Sequence, residues 1–201
     1  MPTFLTSEDE LLALYGTPRP ASTVKVARHL TPEYRAWIEA APFCALATVG
    51  PKGTDCSPRG DDGAVVQIVD DTTLALPDRR GNDRIDTLRN IIRDPRLSLM
   101  FLVPGSATVI RVNGTGRIAA DPGTLERFAI HGKAPRSVLF IEIGEIYFQC
   151  ARAVLRAGLW TGQEAPDLPT PGDILASMTE GEVGGPSYDA AWPDRARKTM
   201  W

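Results

Sequence analysis

The sequence predicts a mainly β protein, an antiparallel barrel with only short helices among its strands. Three observations predict it. Six or seven apolar, β-branched runs recur between Phe43 and Cys150. Most are joined by turns too short for a crossover, which disfavours parallel βαβ winding. Runs as apolar as "LSLMFLVPG" and "SVLFIEIGEIYFQC" would expose costly edges unless the sheet closed on itself, so a closed barrel is expected.

The elements follow in order. Ser7 with Glu10 forms a capping box ahead of Leu11, Leu12, Leu14 and Tyr15, and Gly16 and Pro18 end that first helix. Thr31 and Pro32 read as N-cap and first residue of a second helix carrying Tyr34, Trp37 and Ile38, stopped by Pro42. "FCALATVG", the turn "GPKG" and "TDCSPRG" make a hairpin. "AVVQIVDD" and "TTLALPD" make a second pair around Asp70 and Asp71. A helix after Gly81, the strands "LSLMFLVPG" and "TVIRVNGTGRIAAD", a short helix started by Asp121 and Pro122, and the strand "SVLFIEIGEIYFQC" follow. "TGQEAPDLPTPGD" reads as an extended linker and "DILASMTEG" as a last helix. Trp192 and Trp201 in the tail are costly to expose, so the tail is expected to wrap the body or a partner subunit. The expected organisation is a helical segment at 1–42, the barrel domain at 43–160, and a linker with C-terminal helix and tail, packed on the barrel, at 161–201.

Composition narrows the function. A chain of 201 residues with 43% hydrophobic and 23% charged residues suits one soluble domain with appendages, and no apolar run approaches the ~20 residues of a membrane helix. The acidic start "MPTFLTSEDELLALYG" has no signal-peptide pattern, so a cytoplasmic location is expected. Three cysteines without CxxC spacing argue against a disulfide framework or zinc site, and Glu142, Glu145 and His29 form no metal-binding pattern; no metal is expected. A net charge of -3 speaks against a nucleic-acid partner.

Within that acidic chain, "LPDRRGNDRIDTLRNII" places Arg79, Arg80 and Arg84 on a strand-to-helix turn. Gly81 permits the turn, Asn82 is suited to cap, and Ile85, Leu88, Ile91 and Ile92 carry the helical period. Guanidinium groups beside a helix N-terminus suit a phosphate. The same stretch equally fits ion pairs of Asp78, Asp83, Asp86 and Asp94 with Arg79, Arg80, Arg84 and Arg93 on a solvated helix face.

The hairpin "FCALATVGPKGTDCSPRGD", the turn "PDRRGNDRIDTLRNI", "DPRLSLMFLVPG" and "RVNGTGRI", in that order from about Phe43 to Trp160, resemble the pyridoxamine 5′-phosphate oxidase-like FMN-binding split-barrel family, in its probable FMN-dependent enzyme branch. The resemblance implies a split barrel, an FMN cofactor and a homodimer with FMN at the subunit interface. It puts the FMN phosphate on Arg80, Gly81, Asn82 and Arg84, and the isoalloxazine and ribityl chain beside Ser57 and Arg59, with Asp61 near. It also implies contributions of the neighbouring subunit from Arg111 and Asn113 and from the region Gln149 to Trp160. Arg59 also fits a surface ion pair with Asp61 or Asp62.

The chain departs from the true oxidases after the last strand. "YFQCARAVLRAGLW" has Arg152 and Arg156 but no histidine in an Arg-x-His element, so the vitamin B6 reaction is not expected. Arg152, Arg156 and Trp160 suit an anionic, ring-bearing substrate, and equally an amphipathic helix packed through Val154, Leu155 and Leu159. His131 and Lys133 in "HGKAP" offer a proton donor and a substrate contact, although His131 more simply reads as a helix C-cap. No catalytic side chain is singled out. The reading is an FMN-dependent oxidoreductase of an unidentified small molecule, with a non-catalytic flavin or related-cofactor binder, or redox sensor, as the alternative.

Overall fold

The computed structural model describes residues 1–51, 53–81 and 84–200. Seven strands form one antiparallel sheet: β1 (Phe43–Gly50), β2 (Gly53–Gly60), β3 (Gln67–Ile68), β4 (Thr73–Asp78), β5 (Arg96–Leu102), β6 (Val109–Ala119) and β7 (Ser137–Gln149). Their order is β2-β1-β5-β6-β7-β4-β3. The sheet curls into the split antiparallel barrel that the resemblance implies, not the closed one that the strand pattern alone suggests, because β2 and β3 end the order without pairing to each other.

The period-two pattern explains which face turns inward. Leu46, Leu99, Val112 and Ile146 lie in one continuous cross-strand row, each at most 1% exposed. Cys44, Phe101 and Ile110 form the next inner row. The alternate row, Pro58, Ala45, Met100, Arg111 and Tyr147, points outward, and Met100 is 41% exposed. A bulge between Asn113 and Gly114 shifts the β6–β7 register. Gly114 is required there by close approach, since a Cβ on it would collide with the Glu142 carbonyl oxygen.

"AVVQIVDD" contributes less strand than expected. Only Gln67–Ile68 pairs, with Ala75 and Leu74. Val65 and Val66 are buried, but the Val65 N–H donates to the Ala41 carbonyl, so this stretch spends its backbone on the approach to the barrel end.

Eight helices are described: α1 (Glu8–Tyr15), α2 (Pro20–Thr23), α3 (Pro32–Glu39), α4 (Asp86–Arg93), α5 (Pro122–Arg127), α6 (Arg152–Ala157), α7 (Pro171–Met178) and α8 (Pro186–Thr199). The Ser7–Glu10 capping box and the Thr31 cap form as the sequence predicts. α3 buries Ile38 completely against the core. α4 packs on β1, β2 and β6, where Ile91 joins the core. Its first turn differs from expectation: the residue before it is Ile85, at φ +51° and without a side-chain cap, while Asn82 lies outside the described residues. His131 is not a helix C-cap. With Gly132 it makes a tight turn at positive φ, closed by reciprocal Ile130 and Lys133 backbone bonds.

The tail holds a helix the sequence reading did not separate. α8 contains Pro193, which removes one donor from its interior. α7 and α8 are joined by a close contact: the Asp189 carboxylate accepts from the Gly172 N–H at 2.9 Å and from the Thr170 hydroxyl, and the Gly185 N–H donates to the Gly172 carbonyl at 2.8 Å. A Cβ on Gly172 would meet Asp189 and the Gly185 carbonyl. Trp192 remains 53% exposed, and Trp201 lies outside the described residues. Among the described residues no helix is long and apolar enough to cross a membrane.

Candidate functional site

The gap between β2 and β4 opens into a cleft of about 330 Å³ whose polar wall includes Ser57, Arg59, Asp78, Arg80 and Gly81. Ser57 and Arg59 are two apart on β2, opposite Leu46 and Cys44, so both side chains turn to the inner face of the sheet where it runs out.

Arg59 is the most constrained of them. Its side chain is 13% exposed, and its Nη1 stops 4.0 Å from the Asp78 carboxylate, at the limit of an ion pair. Nε and Nη2 are buried without a hydrogen-bond partner among the described residues. Each such orphaned donor costs roughly 1–3 kcal/mol, more on a charged group, unless something accepts from it. The charge of Arg59 also bears on Cys44 across the ladder. Burial pushes that thiol up to about 12, and the guanidinium offsets part of the rise.

The other two arginines of the turn differ in role. Arg79 donates through Nε to Asp61 at 2.6 Å and through Nη1 to the Phe128 carbonyl at 3.3 Å, which pins the turn to β2 and to the end of α5. Arg80 has no carboxylate partner among the described residues and lines the cleft. Gly81 sits at φ +131°, a conformation L side chains rarely adopt.

Ser57 is oriented by a chain of hydroxyls. Thr87 of α4 is 3% exposed and donates to the Asp55 carboxylate, so its single proton is spent. The Ser57 hydroxyl, 3.1 Å from the Thr87 oxygen, must therefore donate to it. That leaves the Ser57 lone pairs as acceptors at the cleft, suited to an N–H or O–H of a ligand.

Arg84 stands apart from Arg80. Its side chain is 90% exposed and pairs with Asp86 at 2.8 Å, and Arg89 approaches the same carboxylate at 3.6 Å. Together with Arg93 they line a separate groove of about 430 Å³. The two readings of the arginine stretch thus divide at the turn: Arg80 faces a cleft, and Arg84 joins an ion-paired helix face. Asn82, expected beside them, is outside the described residues.

The remaining sequence candidates lie away from this cleft within one chain. Arg111 lies over the Tyr147 ring at 5.2 Å on the outer face of the sheet. Asn113 accepts from the Ser98 hydroxyl at 2.6 Å and donates toward the Tyr147 hydroxyl at 3.4 Å. Trp160 donates its indole N–H to the Ser106 carbonyl at 2.6 Å. Arg152 and Arg156 are exposed on α6, and Lys133 is exposed in its turn. Sequence reasoning missed Thr87 and Asp55, and set Asp78 against the arginines of the turn, whereas it lies nearest Arg59 of β2. Nothing in the sequence links Thr87 to Ser57, because the contact exists only once α4 folds back over β2.

Comparison with known proteins bears on this arrangement. Residues 30–150, more than half of the chain, match the family model described as pyridoxamine 5′-phosphate oxidase. No curated protein matches the chain. Among solved structures, it is similar to a single-substitution variant of HupZ from Group A Streptococcus, at 20% identity and a TM-score of 0.50, covering 59% of this chain and 98% of that one. It is also similar to a candidate pyridoxamine 5′-phosphate oxidase from Lactobacillus delbrueckii, at 21% identity and a TM-score of 0.50, covering 60% and 95%. At such identities these likenesses show the fold alone.

Proposed function

The chain belongs to the pyridoxamine 5′-phosphate oxidase family, and on that premise we propose that it is an FMN-dependent oxidoreductase of a small molecule. The observation that carries the reading is Arg59, a buried cation with two orphaned donors at the edge of a cleft that Arg80 also lines. A flavin mononucleotide fits these residues. Its phosphate and polar ring edge supply acceptors that Arg59 and Arg80 do not find among the described residues, and its ribityl hydroxyls or ring N–H suit the acceptor face of Ser57.

When bound, FMN would supply hydride or electron transfer. The chain's part is positioning. Arg80 and Gly81 hold the anionic end at the turn, Asp55 and Thr87 fix the direction of the Ser57 hydroxyl, and the Arg79–Asp61 pair keeps the turn against β2. Arg84 and Asn82 belong to the proposed phosphate turn by their place in the chain.

The homodimer belongs to the same proposal. The outward row of Ala45 and Met100, with exposed Phe43 and Val49 on the same strand face, is a small apolar surface suited to a second copy. Such pairing would bury Met100 and carry its outer-face neighbours Arg111 and Asn113 to the interface, together with the Arg152, Arg156 and Trp160 region and Lys133 as substrate contacts. We place the enzyme in the cytoplasm and the vitamin B6 reaction outside its activity, since no histidine follows Arg152 at the Arg-x-His spacing.

An absorbance spectrum of the protein mixed with FMN and freed of excess tests the reading. Flavin bands near one per chain, bleached by NADPH or NADH and restored in air, are expected. A colourless protein overturns the flavin reading, and a yellow protein that no donor bleaches reduces it to a flavin binder.

A further inference from the structure

The hydroxyl chain behind Ser57 joins two sides of the sheet edge. It starts at the Asp55 carboxylate, which lines the groove of about 430 Å³, passes through Thr87, which is 3% exposed, and ends at Ser57 in the cleft between β2 and β4. A group outside the cleft thereby governs the hydrogen-bonding sense of one inside it.

Counting protons fixes that sense. A carboxylate only accepts, and a hydroxyl has one proton to give. Thr87 gives its proton to Asp55, so Ser57 gives its own to Thr87, and among the described residues no other hydrogen bond competes for these three side chains. Ser57 meets the occupant of the cleft as an acceptor alone. An N–H at that point gains a partner there, and a bare lone pair does not. A hydrogen bond made on one form of a ligand and denied to another is enough to choose between them.

We propose that Asp55, acting through Thr87 and Ser57, makes the cleft favour the reduced form of its flavin over the oxidised form, and so sets the midpoint potential higher than a freely turning hydroxyl would. Two-electron reduction of a flavin adds two protons and converts acceptor nitrogens of the ring into N–H donors. An acceptor-only hydroxyl at the ring edge distinguishes that change. Asp55 and Thr87 do not line the cleft, so they are positioning residues. The inference rests on the FMN reading. The charge of Asp55 makes the sign informative, because a nearby negative charge by itself disfavours added electrons and its removal alone would raise the potential.

The test is the midpoint potential of the FMN-loaded full chain, from anaerobic dithionite titration against a reference dye. Thr87→Val keeps the Asp55 charge and frees the Ser57 hydroxyl, and should shift the balance at least tenfold toward the oxidised form, a fall of about 30 mV for a two-electron couple. Asp55→Asn, whose amide both donates and accepts and so fixes no direction, should also lower the potential, against the rise expected from losing the charge. Ser57→Ala should lower it by removing the acceptor, and Thr87→Ser should retain the wild-type value. Should Thr87→Val fail to fold, Asp55→Asn and Ser57→Ala decide. An unchanged or raised potential in any of the three lowering variants overturns the proposal and leaves the bound FMN in place. A chain that takes no FMN removes the flavin reading, and this inference falls with it.

Discussion

The Arg59 guanidinium stops 4.0 Å from the Asp78 carboxylate and leaves two buried donors without acceptors among the described residues. A group held this way contributes little to the empty fold and much to a bound anion. Arg59→Met should lower FMN affinity by about 1.5–3 kcal/mol, the size of a hydrogen bond to a charged group, while urea stability of the FMN-free protein stays the same or rises. A matching loss of stability without FMN would show that Arg59 is structural.

Arg80 and Arg84 should separate in the same assay. Arg80 lines the cleft and Arg84 is 90% exposed beside Asp86. Arg80→Ala is expected to weaken FMN by roughly 1.5–3 kcal/mol, and Arg84→Ala by less. Equal losses would place the phosphate between them, as the chain position of Arg84 allows, and unchanged affinity in both variants would remove the turn from the site.

The hydroxyl chain predicts a dissociable effect. Thr87→Val removes the donor to Asp55 and the acceptor of Ser57, and should cost about 1–3 kcal/mol of stability for the groups left unsatisfied. Thr87→Ser should recover most of it. Equilibrium unfolding of the two variants checks the ordering.

Gly114→Ala inserts a Cβ against the Glu142 carbonyl at the bulge. A loss of roughly 1–3 kcal/mol is expected from the overpacking, read as a lower unfolding midpoint. A neutral substitution would mean that the β6–β7 register shifts at no cost.

Cys44 gives the pH prediction. In the unfolded chain the thiol ionises near its ordinary value of 9, and in the fold burial holds it up to about 12. The folded state therefore keeps a proton that the unfolded state loses, so this contribution is complete below pH 9 and falls as pH rises from 9 toward 12. Thiol titration at pH 8 should find Cys56 and Cys150, which are exposed, and reach Cys44 only after unfolding. Cys44→Ala should flatten the alkaline slope of stability.

Local chemistry made much of the fold legible. The Ser7 and Thr31 caps, the hairpin of β1 and β2, and the long β6 and β7 follow from capping residues and alternation over a few residues. The failures were non-local. β3 is short because Val65 bonds to Ala41, and since no pattern within β2 or β3 says whether their free edges meet, the split was legible from the family resemblance and not from the strand pattern. α8 was hidden by Pro193, yet it stands because Asp189 reaches the start of α7. At the site, the arginines announced an anion, but only the folded chain separates Arg80 from the Asp86-paired Arg84 and brings Thr87 to Ser57.

Among the described residues, β2 is paired along one side only. Ser57 and Arg59 therefore ride on a strand whose outer backbone groups have no ladder, across a gap from Leu76 to Asp78 of β4. A molecule lodged in that gap would act as a keystone, bridging the two shores of the sheet where hydrogen bonds do not. Occupancy should then register in the mechanics of the barrel, as slower amide exchange along β2 and β4, at positions the ligand never touches.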